Sequence, residues 1–198
     1  AWKVLQPHQS QDVGEVNGET ISAQDFQALV EEYTEVVKFS SGMNALSDEQ
    51  TNQIKDEVWR AYVNNKLIEN EAEKLGLTVS KAELQAIIDA GAHPMLQQTP
   101  FRNPQTGAFD KDMLKKFLVD YSKMNKAQMP AQYAEYYESM YNFWAFVEKS
   151  LIQARLQEKY QALITKSLFS NPVEAEDAFN ARVDQSDLLL AAVPYSSI

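Results

Sequence analysis

With two histidines and no cysteine, these 198 residues have few ways to do covalent or metal chemistry. His8 and His93 lie far apart, and neither has a second histidine three or four residues away with which to share a metal ion. The absence of cysteine removes disulfides, thiolate metal sites and thiol nucleophiles together. A serine hydrolase needs Ser, His and an acid converging beside an oxyanion hole, and the sequence has no Gly-x-Ser-x-Gly elbow. His93, next to Pro94 and without such partners, reads as a loop histidine. The six glycines are scattered singly, so no phosphate-cradling loop is formed. No catalytic residue, metal ligand or cofactor-binding residue is assigned.

What the sequence does concentrate is aromatic and thioether side chains: nine Tyr, nine Phe, three Trp and six Met. On an ideal helical wheel Tyr133, Tyr136, Tyr137, Met140, Tyr141, Phe143, Trp144, Val147 and Leu151 span an arc of about 160°. Met113, Met124 and Met129 fall in or beside the same region. Flexible thioethers and amphipathic rings suit a surface that accepts many apolar sequences without demanding one register. The same residues also suit a core. If the arc is a surface, its contact residues are expected to be Tyr133, Tyr137, Met140, Tyr141 and Trp144. Phe146 stands alone on the polar side and is expected to be an exposed ring.

Lysine and arginine total 18 against 28 aspartate and glutamate, a formal net charge of -10. Nucleic acid is therefore a poor partner, because phosphate binding depends on clustered cations and no stretch supplies them. An anionic membrane surface is disfavoured for the same reason. Apolar residues at 44% and charged residues at 23% are ordinary for a globular chain with a packed core. No run of eighteen apolar residues occurs. Residues 1–11 lack the basic and apolar regions of a signal peptide, yet open with Trp2, Val4 and Leu5.

These side chains have to be held by a mainly helical frame. Asn17-Gly18 between short β-branched stretches predicts a tight hairpin within Val13 to Ile21. Ser22 as N-cap, with Asp25 three residues on, starts an amphipathic helix that the Ser40-Ser41-Gly42 run ends. Ser47 opens a second helix running to about Leu75, with Gly76 just past its end. Its two apolar stripes, one of them Trp59, Val63 and Leu67, predict a helix covered on both sides. Ser80 and Glu83 form a capping box for a third. Gly91 to Gly107, with Pro94, Pro100 and Pro104, predicts a long loop less ordered than its flanks. A helix follows Phe109-Asp110. Another runs from about Pro130 to Leu168, and its apolar arc rotates so far that it must kink or serve two packing layers. Asn171-Pro172 starts a short final helix. Leu188 to Val193 reads as a strand, expected to join the hairpin in one small antiparallel sheet.

In this order, "VGEVNGETISAQDF", "LIENEAEKLGLTVSKAEL", "FRNPQTGAFDKDMLKKFL" and the terminal "LLLAAVPYSSI" resemble the N-terminal chaperone region of the SurA and PpiD group. These are periplasmic folding factors that carry parvulin-type prolyl isomerase domains. The likeness runs from about Val13 onward and is nearer to PpiD. Its carriers are Val16-Asn17-Gly18 with Ile21 and Phe26; Leu67-Ile68 with Glu71-Ala72; Leu75-Gly76-Leu77 with Val79-Ser80 and Glu83-Leu84; and Phe101 with Gly107, Phe109 and Asp110. The resemblance supplies no catalytic residue. It implies a helical chaperone domain over residues 12–198 that binds unfolded or nascent extracytoplasmic polypeptides. It further implies that residues 1–11 are a linker after an inner-membrane anchor, and that a parvulin domain lies beyond these residues. Two other roles fit the same resemblance: a scaffold for one membrane-assembly partner, or the substrate-delivery region of an active prolyl isomerase.

Overall fold

The computed structural model describes residues 12–125, 128–167 and 172–183. It opens with a hairpin, β1 (Asp12–Val16) and β2 (Glu19–Ser22), paired antiparallel through Val16↔Glu19, Glu15↔Thr20 and Gly14↔Ile21. Asn17 (φ 53°) and Gly18 (φ 84°) supply the two positive-φ positions of the turn, the backbone twist that a two-residue hairpin prefers. Val16 and Ile21 point inward and are buried. Gly14 lies flat against Trp59, where a Cβ would come within 2.3 Å of the indole Cη2.

Ser22 caps α1 (Ala23–Ser41), its Oγ accepting from the Asp25 amide. Ser47 and Gln50 form a capping box at the start of α2 (Asp48–Lys74). Val30 of α1 buries against Ile54 and Val58 of α2, with Phe26, Leu29 and Tyr33 around them. The second stripe of α2 is divided, not covered throughout as its periodicity predicts. Trp59 meets Phe26 edge-on (5.8 Å) and carries the hairpin, whereas Leu67 is exposed. A helix this long outruns the helix and hairpin packed near Val58 and Trp59, and is buried again at Ala72.

A larger core gathers Leu84 and Ile88 of α3 (Lys81–Ala90), Leu96 of the short α4 (Pro94–Gln97), and Phe101. Leu114 and Phe117 of α5 (Lys111–Lys123) and Phe143, Trp144, Val147 and Leu151 of α6 (Ala131–Ser167) complete it. The Gly91 to Gly107 segment, read from its prolines as a long loop less ordered than its flanks, is packed into this core through Leu96, Thr99 and Phe101, while its end from Pro104 to Gly107 is exposed. Leu96 is 0% exposed, Thr99 1% and Phe101 3%. Pro94 takes the first position of α4, where its missing N–H costs nothing. The Gln97 side chain donates to the Gly91 carbonyl (2.6 Å) and accepts from the Phe109 amide (3.2 Å), closing the segment on itself. Asp110 N–H donates to the Phe101 carbonyl, and the Asn103 amide to that of Ala108, each at 2.8 Å. Prolines marked where the helices break, but burial of Leu96 and Phe101 orders what lies between.

The helix α6 runs unbroken over 37 residues and serves different neighbours along its length. Polar contacts set its position against three helices. Lys149 pairs with Glu32 of α1 (3.0 Å), Gln153 donates to Glu69 of α2, and Lys159 contacts both Glu83 of α3 (3.1 Å) and the Thr78 carbonyl (2.6 Å). The described residues divide into two compact units after Gln161. In the second, α7 (Pro172–Val183) starts at proline and exposes Phe179 and Val183. The expected strand Leu188 to Val193, its pairing with the hairpin, and the Asn171 cap lie outside the described residues.

Two outcomes check this architecture. Leu96→Ala should cost about 2–5 kcal/mol, as a fully buried leucine does, and the Asn103 and Asp110 amides should exchange as slowly as those of α2; fast exchange there would return the segment to a loose loop. The Glu83 carboxyl is held below its ordinary value, first by the Ser80 backbone N–H and then by Lys159. A lowered folded-state value stabilises above the unfolded value and is lost as pH falls through the folded one. Glu83→Gln, which keeps the capping oxygen, should therefore lower the unfolding midpoint at neutral pH by an amount that vanishes in acid. A deficit independent of pH would contradict the charge contact.

Candidate functional site

The aromatic arc of α6 is one continuous face whose burial changes along its length. Trp144 lies at its inner end, 3% exposed and edge-on to Phe101 at 6.0 Å. Met140 and Tyr137 come next and are half-buried, Tyr137 stacking on Phe117 at 6.0 Å. Tyr141 is 37% exposed, and Tyr136 and Tyr133 reach 52% and 54%. All point within a limited angular range. The change comes from the neighbours: α3, α4 and α5 cover the helix beside Trp144, and toward its start the cover thins to single ring contacts, Phe117 on Tyr137 and Phe39 on Tyr136.

Of the five residues read from sequence as a contact surface, Tyr133 and Tyr141 are exposed, while Tyr137 and Met140 are partly buried against the core between them. Trp144 does not belong with them. Its indole is core, because the helix turn that carries it sits between Phe101 and the α5 residues Leu114 and Phe117. Phe146 also differs from expectation: it is half-buried and meets Tyr33 of α1 edge-on at 5.6 Å. The wheel marked its side of α6 as polar, but α1 lies against that side.

Sequence reasoning passed over two contributors. Tyr121 at the end of α5 stacks flat on Tyr141, ring centroids 4.3 Å apart and 7° from parallel. Phe39 near the end of α1 meets Tyr136 at 6.0 Å and Phe143 at 5.2 Å. Each is the last aromatic of an amphipathic helix, and nothing in a single helix's pattern says which distant ring it will meet. Open clefts flank the face. One of ≈ 700 Å³ includes Phe39, Met43 and Tyr136, and one of ≈ 830 Å³ includes Leu118, Val119 and Tyr141. Rigid rings over large open clefts offer apolar contact with the phenol hydroxyls still in water.

A third cleft, of ≈ 350 Å³, lies on the other side of α6 between α1 and α2. Tyr33, Tyr62 and Phe146 line it, and the Tyr33 hydroxyl donates to Glu57 at 3.0 Å. Burial, with Glu57 adding to it, raises the Tyr33 phenol above its ordinary value. Among the described residues no group of three or more His, Cys, Asp or Glu side chains could hold a metal ion, and no helix is long and apolar enough to cross a membrane.

Residues 2–118 match the SurA-like N-terminal domain family. The chain belongs to that family. No curated protein and no solved structure matches the chain significantly. The SurA-like segment ends at Leu118, inside α5, so it contains the hairpin and the first four helices, while the open aromatic face stands on α6 beyond it. Membership identifies a chaperone-type region and names no contact residue; the face has to be judged by its own geometry.

Core and surface positions separate on stability. Trp144→Ala should cost about 3–5 kcal/mol of unfolding free energy, while Tyr133→Ala should stay within about 0.5 kcal/mol. Phe146→Ala should fall between them, since its ring is partly covered by Tyr33. Equal midpoints for Trp144→Ala and Tyr133→Ala in urea would contradict the gradient along this face.

Proposed function

We propose that this SurA-like chain binds unfolded or partly folded polypeptides, and that the open aromatic face of α6 makes the contact. The observation that carries this reading is the face itself: Tyr133, Tyr136, Tyr137, Met140 and Tyr141 run outward from a buried anchor, on a chain of a chaperone-type family. Such a face can take apolar side chains in several registers, because its rings offer flat apolar contact while its phenol hydroxyls can exchange partners with water. Burying one large apolar side chain contributes about 1.5–3 kcal/mol, most of which the ordering of a flexible client offsets. The binding is accordingly weak and reversible, as a client that must be released to fold requires.

The finer reading rests on the sequence resemblance to PpiD. In it the clients are nascent or unfolded extracytoplasmic polypeptides, the chain works in the periplasm, and an N-terminal helix anchors it to the inner membrane. A parvulin domain beyond these residues would carry any isomerase activity. The net charge of -10 supports it in one respect, keeping the domain away from nucleic acid and anionic lipid headgroups.

The test uses aggregation of an unfolded client together with the unfolding midpoint of each variant. Tyr133→Ala with Tyr141→Ala should leave the midpoint within about 1 kcal/mol of the parent and reduce protection of the client severalfold; Met140→Ala should add to the loss. Protection undiminished in a folded variant would remove the site. A response to one folded partner and to no unfolded client would show a scaffold instead. Acceleration of cis/trans exchange in an X-Pro test peptide by this chain alone would show an isomerase.

A further inference from the structure

We infer that the cleft between α1, α2 and α6 is a second docking site, built for a polypeptide segment that carries an apolar or aromatic side chain next to a lysine or arginine. The inference deepens the polypeptide-binding reading and rests on it. The cleft is distinct from the aromatic face: it opens on the side of α6 marked by Phe146 and Gln153, whereas Tyr133 and Tyr141 belong to the side of Trp144.

Its floor is apolar. Leu29 and Val58 line it together with the rings of Tyr33, Tyr62 and Phe146, and Ala61 stands at its exposed edge. At ≈ 350 Å³ it stands near the small end of the roughly 300–1,000 Å³ typical of ligand pockets, room for one or two side chains and too little for a helix. Its rim is charged, and the charges do not balance. The two cations on it are already taken, Lys66 by Glu19 at 2.8 Å and Lys149 by Glu32 at 3.0 Å. The Glu19 contact also raises the Lys66 ammonium above its ordinary value, so that lysine stays charged and engaged.

Glu57 and Glu69 are different. Glu57 accepts the Tyr33 hydroxyl and Glu69 the Gln153 amide; neither makes a close ion pair among the described residues, although Glu69 feels the charge of Lys66 one turn before it. The same Gln153 is left with its Oε1 shielded from solvent and without a donor.

Two carboxylates above an aromatic floor are complementary to one kind of side-chain pair. The methylenes of a lysine or arginine can lie along Tyr33 and Tyr62 while the charged head reaches Glu57 or Glu69. An adjacent apolar side chain then fills the floor. Charge also selects against the obvious competitor: a second copy of this chain carries -10 and would bring its own excess of carboxylates to a negative rim.

The test titrates three labelled, extended peptides of equal length against the whole chain. One has aromatic residues flanked by lysine and arginine; the others have glutamine or glutamate at those places. Because the charges sit on a solvent-exposed rim, the basic peptide should bind about fivefold tighter than the glutamine peptide, and the glutamate peptide most weakly. In Glu57→Gln with Glu69→Gln the acceptor oxygens for Tyr33 and Gln153 remain, and the preference should collapse to about 1 by the same charge argument. Ala61→Trp, which fills the cleft from an exposed position, should weaken the basic peptide without changing the unfolding midpoint. Tyr133→Ala with Tyr141→Ala should leave the preference intact. A wild-type chain that binds basic and neutral peptides equally, or a preference unmoved by the two glutamines, would overturn this site and leave polypeptide binding standing. Failure of the wild-type chain to bind any of the three would overturn the polypeptide-binding reading, and this inference with it.

Discussion

Burial of Phe143, Trp144, Val147 and Leu151 along one line of α6 is the interaction on which the first compact unit depends. Each fully buried apolar side chain of this size contributes about 1.5–3 kcal/mol, against about 0–1 kcal/mol for an exposed ion pair. The contacts of Lys149, Arg155 and Lys159 with Glu32 and Glu83 therefore choose the rotation and position of the helix while contributing little of its stability. With α6 fixed in this way, the α3–α4–α5 side and the α1–α2 side each receive a different face of the same helix.

The candidate site is a consequence of that division. A helix of 37 residues is longer than the elements packed on it, so the face that is core at Trp144 emerges as surface at Tyr133. No separate motif is needed to make an apolar contact surface; the core continues past its cover. On the opposite side, α1 and α2 approach α6 closely enough to bury part of Phe146 but leave the cleft lined by Tyr33 and Tyr62. The SurA-like frame of hairpin and early helices thus meets α6 on two sides without enclosing it.

What the sequence made legible was local. Ser22, Ser47 and Ser80 cap helices where the sequence placed their starts, because a cap is settled within one turn of chain. Asn17-Gly18 likewise settles the hairpin alone. The segment from Gly91 to Gly107 was misread because its prolines are local signals, whereas the burial of Leu96 and Phe101 depends on α5 and α6, which come later. Trp144 and Tyr133 share a face, so periodicity gave them one role; only the ends of neighbouring helices distinguish core from surface. Phe146 was placed in water by a wheel that cannot show α1 lying against it. The pairing of Tyr121 with Tyr141, and the gathering of Glu57 and Glu69 at one cleft, arise between elements and had no signature in any one of them.

The central claim is that an unfolded client contacts the open end of the aromatic face while the core beneath stays closed. The most direct measurement places a photo-crosslinking side chain, one position at a time, at Tyr133, Tyr137, Tyr141 and Ile152 of α6 and exposes each chain to an unfolded client. Ile152 is exposed and apolar and lies about three helical turns beyond Tyr141 on the same side of α6, past the buried part of the face, so it reports general stickiness. The expected result is crosslinking at Tyr133, Tyr137 and Tyr141 that far exceeds that at Ile152, with the amides around Trp144 still protected from exchange. Crosslinking as strong at Ile152 as at Tyr133 and Tyr141, or client binding that exposes the amides around Trp144, would contradict it.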